Sequence, residues 1–168
     1  MILTKACSDA LMKRTVIASL VFLLAGFANG AERNSRFVKK LQIPRSSEIV
    51  VVAEGEFEPR SIGSYTLKIY GGGSKQFPTD DFIAGVVRAR NGTIEAVRFD
   101  DIDGDNRPEI VVIIRSAGSG GYLSAEAFRY RARSLELVIS VADLDKRADP
   151  IQAMRDKFKS STEPQSVP

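Results

Sequence analysis

The sequence predicts an all-β protein: an antiparallel β-sandwich or flattened barrel of about seven strands, with one short C-terminal helix. Three observations lead there. Short runs rich in β-branched residues recur at close spacing between residues 49 and 141, the pattern of strands joined by hairpins. Clusters of Gly, Asn, Asp and Pro separate them, and these are the residues that reverse a chain. Only the segment after Asp149 repeats its apolar residues at helical spacing.

The first thirty of the 168 residues stand apart. Lys13 and Arg14 precede an apolar run from 16 to 28, broken by Ser19 and Gly26, and Ala28-Asn29-Gly30 offers a small-x-small cleavage site. This is the pattern of a secretory signal peptide, residues 1–30; Met12 offers a second start for the same signal. The run is too short for a membrane span, which takes about 20 residues, so no membrane anchor is expected. The only cysteine, Cys7, lies in this segment. Residues 31–168 therefore carry no disulfide, thiol nucleophile or cysteine metal ligand, and the fold must rest on its apolar core. A chain exported to a bacterial periplasm suits that composition better than a disulfide-stapled extracellular domain.

Charge and composition exclude several function classes. The chain has 24 basic and 21 acidic residues; Lys5, Lys13, Arg14 and Asp9 fall in the first thirty, leaving 21 and 20. So small a balance gives no reason to expect nucleic acid or an anionic membrane as partner. The absence of histidine removes serine–histidine and cysteine–histidine hydrolases outright.

In chain order, residues 31–47 are polar with isolated apolar residues and read as an irregular lead-in. Residues 49–53 form a β-branched run, 65–70 alternate cleanly, and Gly71-Gly72-Gly73-Ser74 ends the second strand. Two strands, 82–90 and 93–99, flank Asn91-Gly92, a dipeptide suited to a two-residue type I′ hairpin. A polar turn at 100–108 leads to the apolar strand 110–114. After a glycine-rich loop come a strand at 122–131, a reversal at 131–134 and a strand at 135–141. Asp149 is placed to cap a helix with Pro150 in its first turn, and Ile151, Met154 and Phe158 mark its buried face. One domain is expected over 31–160, with a disordered tail at 161–168.

Two loops carry candidate chemistry. In "DDIDGDNRPEI", Asp101, Asp103, Asp105 and Glu109 place carboxylates at positions one, three, five and nine, which is how a tight loop converges oxygen ligands on calcium. An EF-hand is excluded, because Asn106 and Val112 stand where it needs glycine and glutamate. The same residues also make a plain reversal, with carboxylates accepting backbone N–H bonds and Gly104 supplying a positive φ. The turn is the preferred reading, and no metal or other cofactor is expected. The calcium alternative is a secreted adhesion or carbohydrate-binding module. A glycoside hydrolase would need a distinct pair of carboxylates, and none stands out.

The second loop is "SAGSGGY". A phosphate cradle fails, since the Walker pattern needs a lysine, a hydroxyl residue and then a helix, whereas Tyr122 and a strand-like segment follow here. A flexible connector and a thin protruding finger both remain open. In the finger, Gly118, Gly120 and Gly121 keep the loop narrow, Ser116 and Ser119 bring hydroxyls, and Tyr122 brings an aromatic face with a polar tip. Such hydroxyls can donate charge-assisted hydrogen bonds to the carboxylates of a carbohydrate-cleaving enzyme.

The stretches "GEFEPRSIGSYTLKIY", "FDDIDGDNRPEIVV" and "RSAGSGGYLSAEAF", in that order, resemble the periplasmic inhibitors of invertebrate-type (I-type) lysozymes. The likeness covers most of residues 49–140. It implies a protein that is not an enzyme and whose partner is an I-type lysozyme, blocked when the loop 116–122 enters its cleft. Carried onto this chain, Ser119 and Tyr122 are the principal contacts. It also implies no calcium requirement. Arg60, Ser61 and Tyr65, in a matching motif with Phe57, Pro59 and Ile62, form a structural element or a second contact loop. An exposed isoleucine-rich edge strand could support a homodimer.

Overall fold

The computed structural model describes residues 36–162. The expected signal peptide, and the expected tail from residue 163 onward, lie outside them. Eight strands form two four-stranded sheets. The first sheet holds β1 (Val38–Gln42), β2 (Ile49–Glu54), β3 (Ile62–Tyr70) and β4 (Phe82–Asn91) in that order. The second holds β5 (Thr93–Asp100), β6 (Glu109–Arg115), β7 (Leu123–Arg131) and β8 (Ser134–Leu144), also in sequence order. Every neighbouring pair is antiparallel. The helix α1 spans Pro150–Thr162, two residues past the expected end of the domain.

The architecture is thus a sandwich of two sheets, with eight strands rather than about seven. The added one is β1, expected as irregular lead-in. Its sequence VKKLQ puts Lys39 and Lys40 between its apolar residues and alternates exposed with half-buried positions, so no apolar periodicity announces it. Lysines on an edge strand also discourage pairing with another chain.

The second departure is at Asn91-Gly92, which is not a hairpin. Asn91 pairs with Ile62 in the first sheet, while Thr93 pairs with Arg115 in the second. The dipeptide turns the corner between sheets. The chain's two-residue hairpin with both central residues at positive φ lies instead at Ala132 (φ 49°) and Arg133 (φ 63°), between the paired Arg131 and Ser134.

The continuous apolar run of β6 has a simple cause. Ile110, Val112 and Ile114 face the inter-sheet core with Val50, Val52, Tyr65, Leu67, Ile69 and Phe128. Val111 and Ile113 face the other way, under Ile151, Met154 and Phe158 of α1. Because both faces are covered, alternation disappears. The Asp149 carboxylate accepts the Ile151 N–H at 2.9 Å, which fixes the helix start as expected. Burying a side chain such as Met154 contributes roughly 1.5–3 kcal/mol.

Candidate functional site

Antiparallel topology brings three connections to one end of the sandwich: the β2–β3 loop (55–61), the β4–β5 corner and the β6–β7 loop (116–122). The 100–108 turn lies at the far end of β6, a seven-residue strand, or roughly 20 Å away. The two loops singled out in the sequence are therefore separate surfaces.

Arg90 organises the first connection. Its side chain is 0 % exposed, and its guanidinium donates to the carbonyls of Ser64 (3.0 Å), Arg60 (2.7 Å), Pro59 (3.0 Å) and Gly92. Glu58 lies 3.8 Å from it, and the Glu58 carboxylate accepts the Ser64 hydroxyl (2.6 Å) and the Ser64 N–H. Those Ser64 bonds, hydroxyl first, hold the Glu58 carboxyl below its ordinary value, helped by Arg90 and Arg36. Gly63 is required here: a Cβ would overlap the Glu58 carboxylate and sit 2.9 Å from the Arg90 Nη2. The motif "EPRSIGS" is thus a rigid turn that leaves Phe57 98 % and Ile62 63 % exposed.

The corner couples this turn to the glycine loop. Gly92 N–H donates to the Ser61 carbonyl at 2.8 Å. With φ at +119°, Gly92 also lies flat against β6, where a Cβ would overlap the Arg115 carbonyl and come within 2.7 Å of the Ser116 Cα. The "SAGSGGY" and "EPRSIGS" motifs, whose first residues are 58 positions apart in the chain, therefore abut through one glycine.

Within the glycine loop, Ser116 N–H donates to the Tyr122 carbonyl at 2.9 Å, closing the base. Gly121 N–H donates to the Gly118 carbonyl at 3.0 Å, so Ser119 and Gly120 form the tip of a tight turn, with Gly121 at φ +57°. Ser119 is exposed. The Tyr122 ring folds back over Gly120, where any Cβ would collide with it, and stays 51 % exposed. The Ser116 hydroxyl oxygen is enclosed and has no hydrogen-bond partner among the described residues, so of the two serine hydroxyls only that of Ser119 stands on the surface.

Tyr65 is a correction. It is 0 % exposed, inside the sandwich core, and its hydroxyl donates to Glu126. Glu126 also takes a two-pronged bond from Arg88 at 2.7 and 3.1 Å, tying β4 to β7. Burial and the Glu126 bond push the Tyr65 phenol well above its ordinary value. A partner cannot touch it; of the expected second contacts, Arg60 and Ser61 remain exposed.

Asp101, Asp103 and Glu109 do gather, with carboxylate oxygens within 4.8 Å of one another. Their lone pairs are directed to the protein itself. Asp101 accepts the Gly104 and Asn106 amides at 2.8 and 2.9 Å. Asp103 accepts the Asp105 amide at 3.1 Å and a bond from Arg129. Asp105 accepts the Arg107 amide at 2.9 Å and a bond from Arg131. Glu109 accepts the Ile102 amide at 3.1 Å and Arg129 at 3.2 Å. Burial nonetheless raises the Glu109 carboxyl above its ordinary value. Gly104 has φ +81°. Amides, joined at three of them by arginines, thus hydrogen-bond each of these four carboxylates within the turn.

Sequence reasoning missed Arg90, Glu58 and the pair formed by Glu95 and Arg115. An arginine at 90 carried a faint signal, since it falls on an alternate, inward position of a strand that otherwise alternates; Glu58 and Arg115 fell inside the ordered motifs with no role assigned, and nothing marked Glu95.

A family model described as PliI, periplasmic lysozyme inhibitor of I-type lysozyme, matches residues 35–158. The crystal structure of PliI-Ah, the periplasmic lysozyme inhibitor of I-type lysozyme from Aeromonas hydrophila, is 44 % identical, with 70 % of this chain and 98 % of that chain covered at a TM-score of 0.66. Aeromonas hydrophila PliI in complex with Meretrix lusoria lysozyme is 40 % identical, with 78 % and 99 % covered and a TM-score of 0.65. No curated protein sequence matches the chain.

Proposed function

The chain belongs to the family of periplasmic lysozyme inhibitors of I-type lysozyme, and on that premise we propose that it inhibits such an enzyme by filling the active-site cleft with the loop 116–122. One observation carries this reading: the loop is thin, internally bonded, and ends in an exposed Ser119 beside an exposed Tyr122. A retaining lysozyme works with an acid and a carboxylate flanking the scissile bond, about 5 Å apart. The Ser119 and Tyr122 hydroxyls can each donate to a carboxylate, and such charge-assisted bonds are about twice as strong as neutral ones. Occupying both groups stops catalysis and needs no chemistry from the inhibitor.

Support for the partner comes from the relative that forms a complex with Meretrix lusoria lysozyme. The rigid turn at 55–61, with Arg60, Ser61, Phe57 and Ile62 outward, supplies the second contact. Export to the periplasm follows from the signal pattern in residues 1–30 and places the inhibitor in front of the peptidoglycan it protects. The isoleucine-rich strand β6 is buried between β5 and β7, so the expected isoleucine-rich edge is not available, and a homodimer would instead use an open edge such as β4.

The test is lysis of bacterial cell walls by an I-type lysozyme with and without purified residues 31–168, beside lysozymes of other structural types. Selective inhibition of the I-type enzyme is expected. No inhibition at micromolar protein overturns the proposal.

A further inference from the structure

We infer that Arg115 and Glu95 form an external clamp that presets the glycine loop, which makes Arg115 a positioning residue for inhibition. Arg115 closes β6 just before the loop, and its Nη1 reaches over the loop's base to donate to the Gly121 carbonyl at 2.9 Å. The rest of its guanidinium is held by Glu95, through Nη2 at 2.9 Å and through Nε. One planar fork thus spans a neighbouring strand and the far side of the loop, a geometry that lysine cannot reproduce.

The position of Glu95 supports a dedicated role. β5 pairs Ile94 with Ile114 and Ala96 with Ile113, so Glu95 is the extra residue of a β-bulge. Bulges re-aim a side chain and concentrate beside functional sites; this one directs Glu95 to Arg115. The pair is also more than a third exposed on both sides. An exposed ion pair contributes little to global stability, so its effect is local. It holds Gly121, and with it the turn that carries Ser119 and the ring of Tyr122, in one form before any partner arrives. A loop ordered in advance loses less conformational entropy on binding.

This inference rests on the inhibitor reading for its functional consequence but not for its structural content, and two measurements separate them. The proteins are residues 31–168 as wild type, Glu95→Gln, Arg115→Lys, Arg115→Met and the Glu95→Gln/Arg115→Met double variant. Amide exchange at Ser116 and Gly121 is measured in the free proteins, and the inhibition constant is measured against an I-type lysozyme, with thermal melting as control. Arg115→Met is expected to speed exchange at both amides and raise the inhibition constant roughly tenfold, the loss of one charge-assisted bond, with an unchanged melting temperature. Arg115→Lys falls between, and the double variant is no worse than Arg115→Met, since both act on one contact. Unchanged exchange overturns the clamp; a weakened constant with unchanged exchange means that Arg115 touches the enzyme directly. If the wild type does not inhibit, the function proposal fails, and the exchange data alone still support or overturn the clamp.

Discussion

Gly92 lies so close to Arg115 that a β-carbon on the glycine would overlap the arginine's carbonyl oxygen. That contact joins the corner between the two sheets to the base of the glycine loop. With φ at +119° and backbone on its open side, Gly92→Ala is both strained and obstructed. It should lower stability by about 2–4 kcal/mol, read from urea denaturation midpoints. A loss under about 0.5 kcal/mol would mean the corner gives way freely.

Ser119 and Tyr122 are exposed and take no part in the core. Truncating both to alanine should leave the melting temperature within about 2 °C, because surface changes alter stability by less than about 0.5 kcal/mol. Inhibition should weaken by about a hundredfold or more, as two central contacts of 1–2 kcal/mol each would imply. Undiminished inhibition would move the contact surface to another part of the molecule.

Phe57 is almost wholly exposed on a turn that Arg90 and Glu58 hold rigid. Phe57→Ser should weaken binding to the lysozyme by roughly 1–2 kcal/mol if it packs on the cleft rim, while leaving the free protein's stability unchanged or slightly higher. Titration calorimetry with the wild type and Phe57→Ser would decide it, and equal affinities would confine the contact to the glycine loop.

Alkaline stability should depend on Tyr130. Burial, and then its 2.8 Å bond to Glu48, push its phenol from an ordinary 10.0 up to about 12. Between those values the unfolded chain has released the proton and the folded chain still holds it, so the folded state binds more protons. Stability is therefore fully present below pH 10 and falls as pH rises through that window. Denaturation midpoints from pH 8 to 11.5 should show this slope, and Tyr130→Phe should make it shallower. The buried Tyr65 phenol, also raised, accounts for the slope that remains.

Ala132 and Arg133 both sit in the left-handed region at the β7–β8 turn, where side chains other than glycine and asparagine are unfavourable. Ala132→Asn and Arg133→Gly together should stabilise the domain by about 1 kcal/mol, raising its melting temperature without changing inhibition. A lower melting temperature would show that the Arg133 side chain makes a compensating contact.

Much of the fold was legible because burial imprints itself on sequence period. The alternation in 65–70 is one face of β3 turned to the core, the run 110–114 is a strand covered on both sides, and the spacing of Ile151, Met154 and Phe158 is a helix laid on a sheet. β1 was not legible, since the inward positions of this edge strand are only half-buried and carry Lys39 beside Leu41, so no apolar period marks it. Asn91-Gly92 was misread for a related reason. Its sequence states that the chain turns there, and only the pairing of Asn91 with Ile62 and of Thr93 with Arg115 states which way.

The site divides in the same manner. The sequence by itself determined a glycine-poised loop with hydroxyls, an aspartate-rich turn, a domain stabilised by its core rather than by disulfides, and a family likeness across three ordered motifs. Tertiary structure alone decided that Tyr65 is interior, that Ser116 turns inward while Ser119 stands out, and that residues near 60 meet residues near 116 through Gly92. It also placed Arg90 beneath the first of those loops and the exposed pair of Glu95 and Arg115 against the base of the second. Local propensity and period reflect only what each residue's chain neighbours and burial require. Which side chains converge depends on register and on the crossing between sheets, and these are set by all strands together.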